Sequence, residues 1–235
     1  MKIFVQREIF SITVIALAII IACVVIGNKL KKCDPYAKPK GIVLLTLWFV
    51  ELMDNQVLGI VRKDYVKNMA PYIGTLAIFL TISNLSGLIG LNPPTMNYSV
   101  TLTLALITWI MIQYNAIKEQ GIGSYIHAFF EPIFFFVIPN FFGRIAPLIS
   151  MSIRLFGNIL SGSIIMSLLY SATGALTNMI FGFLGFASVP NFVGLVVAPP
   201  LHAYFDVFAG FIQMFIFISL TMVFVSNELN SDKEV

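Results

Sequence analysis

Charge is what this chain has least of. Asp, Glu, Lys and Arg together make up 11% of it, where a soluble domain carries about 25%. So few charged residues cannot cover the surface of a water-soluble protein of this length, which excludes that class. Cysteine and histidine are almost missing, at two each. Cys23 and Cys33 are too few for a disulfide scaffold and have no metal-ligand spacing. His127 and His202 lie too far apart for a paired-histidine metal motif, and no Gly-x-Ser-x-Gly run occurs. A membrane enzyme is therefore disfavoured, and neither a metal nor a cofactor is expected. The net charge of +3 is too small to point to nucleic acid. No internal repeat relates the two halves. That weighs against the main rival class, a secondary transporter with a midplane solute site.

What the chain has is apolar length. It is 58% hydrophobic with a mean hydropathy of +0.92, the composition of an integral membrane protein. Residues 1–235 leave room for five or six spans and no separate globular domain. The expected fold is an all-α polytopic membrane protein of about five transmembrane helices in one membrane domain.

The first apolar run, 9–27, follows Lys2 and Arg7 and ends beyond a box similar to a lipoprotein cleavage site, Ile20-Ile21-Ala22-Cys23. Its length, enough to span, favours a retained helix over a cleaved leader. Lys29, Lys31, Lys32, Lys38 and Lys40, opposed only by Asp34, place the next loop in the cytoplasm and the N-terminus outside. Residues 41–62 gather Glu51, Asp54, Asn55 and Arg62 on one helical side, with Trp48 suited to the headgroup zone, as in an interfacial amphipathic helix. Spans are expected at 70–91 and 99–117, joined outside by the breaker Asn92-Pro93-Pro94-Thr95-Met96-Asn97. Asn84 and Ser86 in the first of these have two readings, helix–helix hydrogen bonding or the lining of a water path.

Beyond Gly121 the texture changes. His127, Glu131, Pro132, Pro139 and Arg144 interrupt an aromatic stretch, so 121–143 reads as a broken or re-entrant segment. A long helix is expected over 146–170 and a last one over 200–226. Between them the prolines and glycines from Gly182 to Pro200 suit a loop or frayed helix start. The two long helices would form a tilted hairpin. The tail carrying Glu228, Asp232, Lys233 and Glu234 falls in the cytoplasm after five spans.

The first long helix holds Arg154 deep in an apolar run. Such a residue costs roughly 2.5–3.5 kcal/mol to insert at mid-bilayer, so it is a functional candidate. A guanidinium does not titrate in proteins and acts as a permanent positive charge. On helical spacing Arg154 shares a small, polar face with Asn158, Ser161 and Gly162, which another helix can approach. On the last helix His202, Asp206, Gly210, Gln213 and Phe217 fall on one stripe at α-helical spacing. Asp206 has three candidate partners: His202, water in a channel, or Arg154 itself. A direct pair with Arg154 would neutralise the fixed charge and leave a structural salt bridge; the water path is the preferred reading.

The run Arg154-Leu155-Phe156-Gly157-Asn158, with Pro147, the serines before it and Ser161-Gly162 after it, closely resembles the signature of the subunit a family of F-type ATP synthases. A second block, Phe211-Ile212-Gln213-Met214-Phe215-Ile216-Phe217, is similar to that family's last-helix motif, which sets a glutamine near the arginine. The resemblance implies a non-catalytic stator subunit that provides two aqueous half-channels. In it Arg154, Asn158, Gln213 and Asp206 would serve ion translocation, with Asn84, Ser86, Ser161, Ser163 and His202 as further channel lining. It also implies as partners a c-ring of small two-helix subunits, peripheral-stalk b subunits, the lipid bilayer and a translocated H⁺ or Na⁺. The setting would be a bacterial plasma membrane. The chain departs from the pattern where many bacterial relatives have a glutamate and a histidine; those positions hold Ser163 and Asp206. Neither cysteine enters any of these roles. A variant with Cys23 and Cys33 replaced by alanine is expected to support ATP-driven ion pumping at the wild-type rate in reconstituted vesicles.

Overall fold

A computed structural model describes residues 7–33, 38–131, 133–182 and 190–230. Lys2, Asp34, Pro132, the tail residues Asp232 to Glu234 and the expected loop over 183–189 lie outside the described residues. The elements are α1 (Arg7–Lys31), α2 (Ile42–Leu58), α3 (Lys63–Leu85), α4 (Tyr98–His127), α5 (Val137–Gly182), α6 (Phe192–His202) and α7 (Ala209–Asn230). Short 3₁₀ turns at Ser86–Ile89, Pro94–Met96 and Phe134–Phe136 punctuate them, and a π-helical turn at Ala203–Phe208 joins α6 to α7. No strand occurs among the described residues. Five helical stretches are long and apolar enough to cross a membrane. The chain is an all-α polytopic membrane protein.

The core lies where α3, α4 and α7 meet, around Ile73, Leu80, Ala105, Ile112, Phe217, Met222 and Val225. Lipid tails are as apolar as these side chains, so close packing and hydrogen bonding hold the helices together. The buried threonines accordingly bond within their own helices: Thr108 to the Leu104 carbonyl at 3.0 Å and Thr221 to the Phe217 carbonyl at 2.8 Å. Thr108 also meets the Tyr72 hydroxyl at 2.7 Å, tying α3 to α4.

Several boundaries move from those expected, each for a local reason. Gly121 leaves the helical region of α4, with φ 77° and ψ 155°, and helical turns resume as far as His127. The segment expected to be broken over 121–143 therefore ends early, because α5 begins at Val137. Pro139 sits in the first turn of α5, where a missing N–H leaves no bond unmade. Pro147 lies inside the helix, which continues to Gly182 instead of stopping at 170. At 46 residues α5 is about 69 Å long, against about 30 Å of bilayer hydrocarbon. The last helix starts at Phe192 instead of Pro200, because the Asn191 side chain caps it by accepting from the Gly194 N–H at 2.8 Å.

Arg62 does not share a helix with Glu51, as the amphipathic reading had it, because α2 ends at Leu58. Its guanidinium instead pairs with Glu119 on α4, which also accepts from Tyr65 at 2.6 Å. The hydrogen bond and charge of Glu119 raise the Arg62 pKa further above its ordinary value.

α5 is the least embedded of the later helices: 17% of its apolar window is buried, against 44% for α3. One long face is thus left for lipid or another protein. Phe217, by contrast, is 2% exposed at the centre of the bundle. Phe217→Ala is expected to destabilise the protein by about 3–5 kcal/mol, read as a lower melting temperature in detergent.

Candidate functional site

Arg154 stands on the open face of α5 and is exposed. Among the described residues no carboxylate lies within ion-pair distance of it; its guanidinium donates to Ser150 Oγ one turn earlier, at 3.3 Å. Ser161, two turns on, lies on the same exposed side and donates back to the Asn158 carbonyl at 3.1 Å. The face around the cation is therefore short-chained and satisfied within its own helix.

The adjoining face of α5 meets the last helix. Asn158 donates to the Ala209 carbonyl at 3.4 Å, and Gly162 is buried against the Phe205 ring. From α3, Asn84 donates to the Gly210 carbonyl at 3.0 Å, while its oxygen accepts from Thr95 at 3.1 Å. Asn84, Asn158, Ser163, His202 and Asp206 thereby come together around a cavity of about 170 Å³, roomy enough for water. Ser86 and Ser161, expected with them as lining, do not border it: Ser86 is buried and bonded to the Ser83 carbonyl at 2.7 Å, and Ser161 faces outward.

Asp206 sits in the π-helical turn that follows Pro199 and Pro200. Two successive prolines remove two N–H donors, and the helix widens directly after them. The α-helical spacing assumed from the sequence fails across this turn, so the stripe from His202 to Phe217 is not a single one. Gly210, Gln213 and Phe217 keep the register of α7 and pack inward; Gln213 and Phe217 are buried. His202 and Asp206 bond each other, Nδ1 to Oδ2 at 2.6 Å. Asp206 thus finds its partner one turn away and leaves Arg154 unpaired. The Gln213 Nε2 is buried with no hydrogen-bond partner in the structure.

A second polar cavity, of about 330 Å³, opens at the opposite end of the antiparallel α5–α7 contact. Gln113, Asn140, Arg144, Asn227 and Glu228 border it. Sequence reasoning left Arg144 without a role. The structure sheathes it: its guanidinium carbon lies 4.2 Å from the centre of the Tyr125 ring and 4.8 Å from that of Phe129, and Nη1 is 3.7 Å from Glu228 Oε2. Only its place beside an aromatic cluster hinted at this. Along α5 Arg154 falls between the two cavities, whose nearest lining residues, Pro147 and Asn158, are about 16 Å apart in axial rise. A further cavity, about 400 Å³ between α2, α3 and α7, is apolar but for Gln56 and Thr81 and offers nothing to an ion.

A multi-span helical bundle with an arginine on its open face that no described carboxylate pairs, between two polar cavities, belongs among membrane proteins that handle ions. The model of the ATP synthase A chain family matches residues 9–226, and the chain belongs to that family. It is 32% identical to ATP synthase subunit a of Mycoplasma pneumoniae, over 91% of this chain and 76% of the relative. Subunit a 2 of a Bradyrhizobium strain is 29% identical, over 97% and 90%. A relative from Propionigenium modestum, named as sodium ion specific, is 32% identical over 77% of this chain and 60% of its own length. The chain is thus a multi-pass membrane subunit of the ATP synthase Fo sector, with bacterial relatives.

Gly210 fixes how closely α3 approaches the site, since a Cβ there would lie 3.1 Å from Asn84 Cβ. Gly210→Val is expected to push α3 away and break the Asn84 bond. The cost should be about 1–3 kcal/mol, seen as lower thermal stability of the purified complex.

Proposed function

We propose that this chain is the ion-translocating stator of a rotary ATP synthase, and that Arg154 drives ion release from a c-ring carboxylate. The carrying observation is that Arg154 is exposed on α5, the least embedded of the later helices, with no counter-ion among the described residues. A fixed charge that its own chain has not neutralised can act on a passing partner. A carboxyl on the rotor would carry its ion through lipid as a neutral group. Near Arg154 the positive field favours the ionised carboxylate and lowers its pKa, so the ion is released. At 4 Å such a pair is worth about 1 kcal/mol in bulk water and about 4 kcal/mol at an effective dielectric of 20.

The two polar cavities supply the access paths, one ending at Asp206 and one beside Arg144 and Glu228. Their offset along α5 means an ion entering by one must ride the rotor to reach the other. The same positive charge repels a cation trying to cross directly. Each charge moved through 100 mV delivers about 2.3 kcal/mol to rotation. The partners on this reading are a c-ring of small two-helix subunits against the open face of α5, and peripheral-stalk b subunits. The lysine-rich segment after α1 sets the N-terminus outside and the C-terminus in the cytoplasm.

The test is ATP-driven pumping by the whole complex in proteoliposomes. Arg154→Ala is expected to abolish coupled transport. Arg154→Lys should fail as well, because a lysine can deprotonate when desolvated and lacks the planar donor fork. Asp206→Asn should slow transport by on the order of tenfold without uncoupling it. Normal coupling in the arginine variants would overturn the assignment.

A further inference from the structure

Away from Arg154 and both polar cavities, the seam between α1 and the rest of the bundle stands open. Only 11% of the apolar window of α1 is buried, less than in any other span. Where α1 passes α2 and α3 a cavity of about 370 Å³ remains, lined by Ile26 and Leu30 of α1, Phe49 and Met53 of α2, and Gly74 and Ile78 of α3. Its two threonines are satisfied within their own helices, Thr46 by the Ile42 carbonyl and Thr75 by the Pro71 carbonyl, each at 2.8 Å. Phe49, Met53 and Ile78 also border the apolar cavity of about 400 Å³ between α2, α3 and α7. Two apolar grooves therefore lie on either side of one ridge.

Their size suits a hydrocarbon tail and not a helix. An α-helix with its side chains is about 10–12 Å across and rises 5.4 Å per turn, so a single turn fills about 420–610 Å³. Neither groove takes one turn whole, and the ridge keeps the two apart. Charge decides what the tails belong to. α2 is not among the spans, so α1 and α3 are successive spans and cross in opposite directions. The C-terminal end of α1 then stands at the same level as the N-terminal end of α3. Gly27 and Pro71 both line the groove; Lys31 follows the first by one turn, and Lys67 precedes the second by one turn. Lys29 and Lys32 flank Lys31. All four lysines are exposed and, among the described residues, have no ion-pair partner. Against them the groove carries one acid, Asp54, half-buried on the α2 wall and likewise without an ion-pair partner among the described residues. An ionised carboxylate only accepts hydrogen bonds, so Asp54 calls for a donor.

We infer that this seam is a binding site for an anionic diacyl phospholipid. Its two tails lie in the two grooves, its phosphate meets Lys31 and Lys67, and a headgroup hydroxyl donates to Asp54. Phosphatidylglycerol has that chemistry; phosphatidylcholine, with no net charge and no headgroup donor, lacks it. The lipid supplies the packing that α1 does not find in its own chain, and so holds the first span to α2 and α3. None of this depends on the stator reading, since no residue of the groove borders either polar cavity.

The test is photolabelling of the whole detergent-solubilised complex with phosphatidylglycerol or phosphatidylcholine carrying a diazirine on one tail, followed by mass-spectrometric mapping of the labelled peptides. Wild type is expected to incorporate phosphatidylglycerol into residues 23–30, 46–54 and 70–78 at least about fivefold more than phosphatidylcholine. Lys67→Gln should lower that preference about fivefold, the effect of one lysine beside an anionic headgroup. Gly27→Phe fills the groove without a clash at its base, since nothing lies within 4 Å of a Cβ there. It should remove labelling of these residues by both lipids and leave labelling elsewhere on the chain unaltered. If Gly27→Phe does not assemble, the double variant Lys31→Gln, Lys67→Gln takes its place and should abolish the preference for phosphatidylglycerol. Equal labelling of the wild-type groove by the two lipids would overturn the inference, as would groove labelling that survives in the assembled Gly27→Phe variant. A wild-type groove that takes no label from either lipid, the sign of a protein helix seated there, would overturn it too.

Discussion

A guanidinium cannot discard its proton, so a protein that buries one among apolar residues must either surround it or put its charge to use. This chain carries two, ten residues apart on the same helix, and surrounds them differently. Arg144 is enclosed between two aromatic rings and a carboxylate from α7, which spreads and balances its charge while joining α4, α5 and α7. Arg154 receives a single serine hydroxyl from its own helix. The contrast is informative because the side chains are identical. Where the fold needs an arginine for its own cohesion it builds a nest of partners, and it builds none around Arg154.

The rest of the bundle follows the same constraint on a smaller scale. In a medium without water each polar group needs a partner inside the protein. Thr108, Thr177 and Thr221 meet this with carbonyls one turn back, Asn84 and Asn158 with carbonyls of the last helix, and Trp109 with the Arg144 carbonyl at 2.7 Å. Among the described residues, the buried side-chain atoms without a hydrogen-bond partner are Ser83 Oγ, Arg144 Nη1 and Gln213 Nε2. Arg144 borders the second cavity, and Gln213 lies two turns beyond Asp206 at the first. At Arg144, which borders a cavity, water can supply what the helices do not.

Much of this was legible in the sequence because it depends on composition or local spacing. The apolar runs, the breaker at 92–97, the open polar face around Arg154 and the candidacy of His202 as the partner of Asp206 all follow from counting residues along a helix. What was hidden depends on partners remote in the chain or on departures from regular geometry. Arg144 and Glu228 lie 84 positions apart, and nothing in either neighbourhood announces the other. Tyr170 drew no notice in the sequence, and only the fold brings His202 to within 2.8 Å of its hydroxyl. The start of α5 was misplaced because proline was taken as a breaker, whereas Pro139 falls in the one turn that tolerates it. The stripe through His202 and Gln213 failed because periodicity arguments assume 3.6 residues per turn, and the Ala203–Phe208 turn is wider.

That wide turn acts like a slipped tooth in a gear. Take one residue out of it and the helix can close to ordinary pitch, with everything upstream swinging by about 100° while Gln213 and the core of α7 hold their places. The lineage then has a cheap way to re-index which side chain looks into the first cavity. A single insertion or deletion could exchange a carboxylate for an imidazole there, leaving the arginine's surroundings unaltered.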